Sequence, residues 1–431
     1  MYRFLRKTIG PLLLIVLCPV LAITVWYTSA IGHGSFKELF QTFSQNGIVA
    51  TYWHMIKPVF FGTPTAWKII GTFAAFQLLL MRIIPGKTTF GPRTPKGNIP
   101  VYKDNGFAAF IVTLVTFYVS TQHLHLFSAT IVYDHLGEII GAMSFFSIIL
   151  CLALYIKGRF FPSSSDHGAT GNFIFDFYWG TELYPRIFGF DVKVFTNCRF
   201  GMMSWPIIIL SCAAKQTELY GLSTSMIVSV ALQLIYIGKF FLWESGYLCS
   251  MDIMHDRGGF YICWGCLVWV PAFYTSPAQY LVHNPHMLST WLAASIFAIG
   301  AAGIMVNYFA DRQRQVFRRK AGACKIWGND PKITKAYYST DEGKTYESLL
   351  LASGWWGISR HFHYLPEIVG ALFWSLPALF GHFMPYFYVV FLGILLVDRA
   401  FRDEQRCQEK YGDYWDAHCE KVRYKLIPYL F

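Results

Sequence analysis

Hydrophobic and polar positions alternate along this chain in long blocks rather than short periods. Apolar runs close to the ~20 residues needed to cross a bilayer occur at 12 to 31, 66 to 84, 106 to 121, 138 to 156, 201 to 215, 223 to 243, 259 to 281, 288 to 309, 364 to 380 and 384 to 398. The pattern predicts ten membrane-spanning helices, several of them short or interrupted by Pro206, Pro271 and Pro277. The largest polar insertion runs from Asp311 to Phe362. Within it, Tyr337 to Tyr346, Glu342 included, alternates β-formers around a turn and predicts a short hairpin. Pro162 to Gly168 reads as a flexible connector.

Charge placement gives the spans a direction. With the N-terminus inside, the inner loops collect Arg82, Lys87, Arg93, Lys96 and Lys103, then Lys157, Arg159, Arg186, Lys193 and Arg199, while the outer loops hold Lys37, Lys57 and Lys215. Cytoplasmic loops collect lysine and arginine, so an even number of spans with both termini in the cytoplasm is the consistent solution. Arg3, Arg6 and Lys7 precede the first apolar run, which is too long for a signal peptide's core and reads as the first span.

Composition sharpens the class. The 431 residues are 54% hydrophobic and 14% charged, against roughly 25% charged in soluble domains. An all-α polytopic integral membrane protein follows. Its +11 net charge is spread between apolar runs, which argues against a nucleic-acid module. Of ten cysteines, Cys18, Cys151, Cys212, Cys249, Cys263 and Cys266 lie in or beside apolar runs, where cysteine packs as a small hydrophobe. The Cys263 and Cys266 spacing lacks a second ligand pair, so packing is preferred to metal. Three segments organise the chain: N-terminal helices and loops over 1–200, central helices with a substrate pocket over 201–310, and a ligand-binding membrane region over 311–431.

Candidate chemistry crowds both ends of the last apolar region. On a helix, Asp403, Cys407, Tyr411 and His418 share a face, flanked by Arg399, Arg402, Arg406 and Lys410. One acid, a phenol and an imidazole bordered by cations suit a ligand with a phosphate at one end and a hydrogen-bonding ring at the other. A solvated amphipathic tail at the membrane surface fits the same spacing. Arg314 and Arg318, at i and i+4, are either phosphate forks or positive-inside anchors. Arg360, His361, His363 and Tyr364 open the ninth run, where a helix N-terminus adds unpaired N–H groups to an anion site. His361 and His363 point apart on a helix and no carboxylate cluster completes a metal site, so none is expected. No Gly-x-Gly-x-x-Gly follows a strand, so any nucleotide must bind the membrane domain itself. A second polar cluster, Trp243, Glu244, Tyr247, Asp252, His255 and Asp256, places an acid and a phenol one turn apart. It reads either as a proton donor in apolar surroundings or as an interfacial belt.

Two motifs carry a resemblance. The segment from Gly171 to Arg186, with Trp179-Gly180-Thr181-Glu182 at its centre, and the segment from Asp398-Arg399 through Arg402-Asp403, Cys407, Lys410-Tyr411-Gly412 and Trp415 resemble the sterol reductase family, polytopic enzymes that saturate sterol double bonds with NADPH. The likeness extends over essentially the whole chain. Arg360-His361-Phe362-His363-Tyr364-Leu365-Pro366-Glu367, Tyr184 and Asp398 look most like the plant-type Δ7 branch. The resemblance implies reduction of a sterol C7–C8 bond, as in 7-dehydrocholesterol to cholesterol. It implies NADPH contacts at Arg314, Arg318, Leu351, Trp356, His363, Tyr364, Asp403, Cys407, Lys410, Tyr411 and His418, the last standing where relatives usually have tyrosine. For catalysis we expect Tyr247 or Glu244 on the proton path, with Asp403 orienting or recharging it. The expected partners are a sterol entering from the bilayer and membrane lipids, in the endoplasmic reticulum of a eukaryote or the inner membrane of a bacterium. Δ14- and Δ24-sterol reductases, a membrane prenylcysteine methyltransferase using S-adenosylmethionine, and a non-catalytic sterol-binding protein are the alternatives.

Overall fold

The computed structural model describes residues 4–341 and 343–430; Arg3 and Glu342 lie outside the described residues. Seven helices are long and apolar enough to cross a membrane. They are α1 (Leu5–Ala30), α2 (Pro64–Ile83), α3 (Gly106–His123), α4 (Leu136–Phe160), α6 (Thr224–Leu242), α7 (Thr290–Arg319) and α9 (Met384–Tyr411). Their outward positions, among them Leu13, Leu17, Val115, Ile149 and Ile394, are exposed and apolar. Such a surface is stable against lipid and not against water.

The other three apolar runs are helical but do not meet that criterion of length and composition, which seven of the ten runs satisfy. Helix α5 (Met202–Tyr220) carries Pro206 inside it. The run at 259 to 281 breaks into Phe260–Trp264, a wide-turned π segment Gly265–Tyr274 around Pro271, and Ser276–His283. Helix α8 (Tyr364–Ser375) has 12 residues, about 18 Å at 1.5 Å per residue, short of a ~30 Å hydrocarbon layer. Trp205, Trp264, Phe273 and Trp374 from these elements are almost wholly buried. Broken backbone is tolerated at membrane depth where neighbouring protein shields it from lipid. Two short helices, Phe36–Asn46 and Ile48–Ile56, fill the segment after α1, which no apolar run announced.

Among the described residues there are three antiparallel hairpins: β1 (Lys87–Phe90) with β2 (Val101–Asp104), β3 (Arg186–Ile187) with β4 (Phe190–Asp191), and β5 (Ile333–Ser339) with β6 (Thr345–Leu351). The last is the expected hairpin, longer at both ends, in register from Ile333 opposite Leu351 to Ser339 opposite Thr345. Ala336 and Leu350 of this hairpin pack with Cys407 of α9 and Trp415 of α10 (Asp413–Lys421). That contact lays the hairpin along the polar end of α9. The main apolar core runs from Ala22 to Leu396, and smaller clusters sit under the hairpin.

Candidate functional site

Helix α9 is fixed first by its own charges. Arg399 donates to Asp252, and Arg402 donates to Tyr261 Oη at 2.9 Å and lies 3.5 Å from Asp256. Both acids stand on the loop after α6. Beneath that loop Lys193, with no exposed surface, donates to the carbonyls of Ile253 at 2.7 Å and Asp256 at 2.5 Å. Arg360 forks onto Glu404 at 2.7 and 3.1 Å and donates to the carbonyls of Val422 and Arg423. These three arginines are already matched by acids, and two of them, Arg360 and Arg399, also line the cavity that the remaining cations face.

The cations left over face a cavity of about 1490 Å³. Arg314, Arg318 and Lys410 line one end of it. Asp311, the acid nearest Arg314, is 3.9 Å away, beyond hydrogen-bond distance. Among the described residues neither Arg318 nor Lys410 has a carboxylate partner. The Arg314 guanidinium lies 3.8 Å over the Trp356 ring and the Lys410 ammonium 3.8 Å over the Tyr338 ring, so aromatic faces hold them in place. Trp356 is set by its Nε1 donating to the Ala310 carbonyl at 2.8 Å. From it an aromatic ladder continues to His363 at 4.9 Å and on to Tyr364 at 4.2 Å between ring centres. His363 Nδ1 and Asp311 Oδ1 are buried without a hydrogen-bond partner, a cost a polar ligand would relieve.

The remaining expected residues gather around the same space. Leu351, Asp403, Cys407, Tyr411 and His418 line it. Asp403 accepts from Arg406 at 2.6 Å and has His361 Nδ1 4.0 Å away. Tyr411 Oη meets Ser348 Oγ of β6 at 3.2 Å. His418 stacks on Trp415 at 5.2 Å, with Nδ1 3.3 Å from Thr334 Oγ1. Burial, then the positive charges of Arg360 and Lys421, lowers its pKa to about 4, so it is a neutral hydrogen-bonding ring. Two cations without acid partners among the described residues, Arg318 and Lys410, a third, Arg314, held only loosely by Asp311, and a ladder of rings make a donor set that fits a dinucleotide phosphate.

Tyr247 and Glu244, one turn apart, go different ways. Tyr247 lines the cavity, and its Oη accepts a hydrogen bond from Asn197 Nδ2. Glu244 does not reach the cavity. It is 1% exposed and bound by Arg199, by a second Arg199 bond at 2.9 Å and by the Gly106 N–H at 2.7 Å. Arg199 also donates to Asn105 Oδ1 at 2.9 Å. The expected place for Glu244 on the proton path is therefore corrected: its carboxylate is enclosed by donors that anchor the start of α3.

The segment from Gly171 to Arg186 is mainly a clasp. Asn172 accepts from the N–H groups of Ile174 and Phe175, capping helix Phe173–Trp179, and donates to Thr8 Oγ1 at 2.7 Å on α1. Trp179 stacks on Tyr261 at 5.8 Å. Gly180, at φ +95°, has no room for a Cβ, which would lie 2.6 Å from Gly258. Of this segment Tyr178 alone lines the cavity. Sequence reasoning missed Lys239, Asp311 and Glu367, which also line it. For Lys239 and Glu367 the signal was available, because ionisable residues inside apolar runs are functional candidates by default; Asp311 stands just past the end of its run.

The chain is similar over most of its length to known sterol reductases. The chain is 53% identical over 420 residues to 7-dehydrocholesterol reductase of Arabidopsis thaliana, covering 97% of this chain and 96% of the relative. It is 40% identical to 7-dehydrocholesterol reductase of Xenopus laevis over 86% of this chain and 81% of the relative. It is 38% identical to Delta(14)-sterol reductase of Methylotuvimicrobium alcaliphilum over 85% and 84%. With the family profile matching residues 2–431, this multi-pass membrane protein belongs to the Ergosterol biosynthesis ERG4/ERG24 family of sterol reductases.

Proposed function

We propose that this protein reduces the C7–C8 double bond of a sterol such as 7-dehydrocholesterol, with NADPH as reductant. The observation that carries the reading is one cavity whose cationic end, at Arg314, Arg318 and Lys410, continues into an apolar, aromatic chamber past Tyr247. Bound NADPH would supply the hydride. Arg314, Arg318 and Lys410 would hold its phosphates. Trp356, His363 and Tyr364 would flank its rings, with Leu351, Cys407, Tyr411 and His418 closing the wall.

The protein supplies the proton. Because Asn197 donates to Tyr247 Oη, the phenol's own hydrogen is free to point toward substrate, and the oxygen left behind keeps a donor to stabilise it. Asp403, held by Arg406, orients or recharges this donor. Leu14 and Cys18 of α1 line the chamber beside the exposed Leu13 and Leu17, which supports entry of the sterol from lipid. The basic loops and tail favour cytoplasmic termini, in the endoplasmic reticulum of a eukaryote or the inner membrane of a bacterium. The likeness to a Delta(14)-sterol reductase makes C14–C15 reduction the second reading. Incubating membranes that contain the protein with NADPH and either a Δ5,7-sterol or a Δ8,14-sterol, with products identified by mass spectrometry, decides between them. Loss of the Δ7 bond is expected; turnover of the Δ8,14-sterol alone overturns the assignment.

A further inference from the structure

A second polar pair lines the chamber at membrane depth, apart from the residues that would hold nucleotide. Tyr236 lies within α6 and Glu367 one turn past Tyr364 on α8, and the Tyr236 hydroxyl donates to Glu367 Oε1. Both line the cavity. Among the described residues this is the single hydrogen bond Glu367 makes, so its second oxygen has no protein donor. Rings surround the pair. Tyr236 sits 5.6 Å from Trp205 and 5.1 Å from Trp374, and Tyr388 lies 5.9 Å from Trp374 and 4.7 Å from Tyr274. A carboxylate in a membrane interior marks a binding or transfer site unless it is fully paired. This one is half-paired, in a wall of flat apolar faces.

We propose that Glu367, oriented by Tyr236, is the anchor for the substrate's ring hydroxyl. The inference rests on the sterol reading above. A sterol offers one hydroxyl on a fused apolar skeleton, and the chamber sets the open oxygen of Glu367 beside aromatic and aliphatic faces such as Phe391, Leu392 and Leu396. The free carboxylate oxygen accepts the hydroxyl's hydrogen. A site that presents an acceptor to an apolar chamber discriminates against a ligand that lacks the matching donor.

The test separates this role from reduction itself. Purified protein without NADPH is titrated with a radiolabelled Δ5,7-sterol carrying a free 3-hydroxyl and with its 3-methyl ether. The wild type should bind the alcohol at least ~10-fold more tightly, as expected for a hydrogen bond to a charged group. Glu367→Gln, which keeps the shape, and Tyr236→Phe should narrow that ratio toward one. A ratio is read within each variant, so partial loss of folded protein leaves it interpretable. Equal wild-type affinities for the two ligands, or an undiminished ratio in Glu367→Gln, would overturn the proposal. So would a raised NADPH Kd in Glu367→Gln with sterol binding untouched, which would place Glu367 at the nucleotide. Tight, hydroxyl-dependent binding without turnover of any sterol would instead sink the catalytic reading and leave the anchor standing.

Discussion

Glu244 and Glu367 each stand one turn from a tyrosine, and the regions around them differ in kind. Glu244 is closed in by Arg199, Asn105 and the start of α3. Glu367 takes one bond from Tyr236 and borders the chamber. The same division sorts the cations: Arg399, Arg402 and Arg360 are matched by Asp252, Asp256 and Glu404, whereas Arg318 and Lys410 meet no acid among the described residues. A matched charge holds elements together; an unmatched one beside a cavity is available to a ligand.

That contrast can be broken at several points, the most damaging first. Glu244→Ala strands the Arg199 guanidinium, a loss of roughly 3–5 kcal/mol for a broken buried pair. Folded protein should disappear from a thermal size-exclusion profile, whereas an undisturbed profile would show that the closed region is not a fastening. Tyr247→Phe should leave the melting profile and both ligand affinities in place and lower turnover by about 10²–10⁴-fold, the usual worth of a general acid; wild-type turnover would remove the phenol from the proton path. Arg314→Ala with Arg318→Ala should weaken NADPH binding by roughly 10–100-fold in calorimetry without lowering the melting temperature, because charge-assisted bonds to phosphate are lost. Arg399→Ala should do the reverse and lower the melting temperature by leaving Asp252 unmatched. The smallest effect belongs to His418. Its folded pKa of about 4 lies below the ordinary 6.5, so the unfolded chain binds the extra proton, and stability falls as pH drops from 6.5 toward 4. His418→Phe should flatten that part of the stability profile, readable by melting at stepped pH.

Much of this was legible in the sequence, for identifiable reasons. All ten apolar runs are helical, and the strip Asp403, Cys407, Tyr411 faces the cavity because helical spacing is rigid over two turns. The family likeness then gathered Arg314, Trp356 and His363 around it, and the structure brings them to the same cavity. The three remaining runs take forms the pattern does not announce: α5 runs unbroken through Pro206, the run at 259 to 281 divides around Pro271, and α8 is short, with burial inside the bundle rather than contact with lipid setting their form. Glu244 was misplaced because its partner Arg199 stands 45 residues away. A spacing of three residues identifies an acid beside a phenol but cannot say whether a guanidinium from elsewhere closes over it.

The carboxyl-terminal strand of the chain is threaded into this arrangement. Residues Arg360 and His361 take backbone bonds from their own N–H groups to the carbonyls of Tyr424 and Lys425, while the Arg360 side chain grips Val422 and Arg423 and holds Glu404 on α9. Residues 422–425 therefore act as a latch on the segment that leads into Tyr364. A construction that shortens the chain at this end would slacken the nucleotide side of the chamber from a distance, and purification handles belong at the opposite terminus.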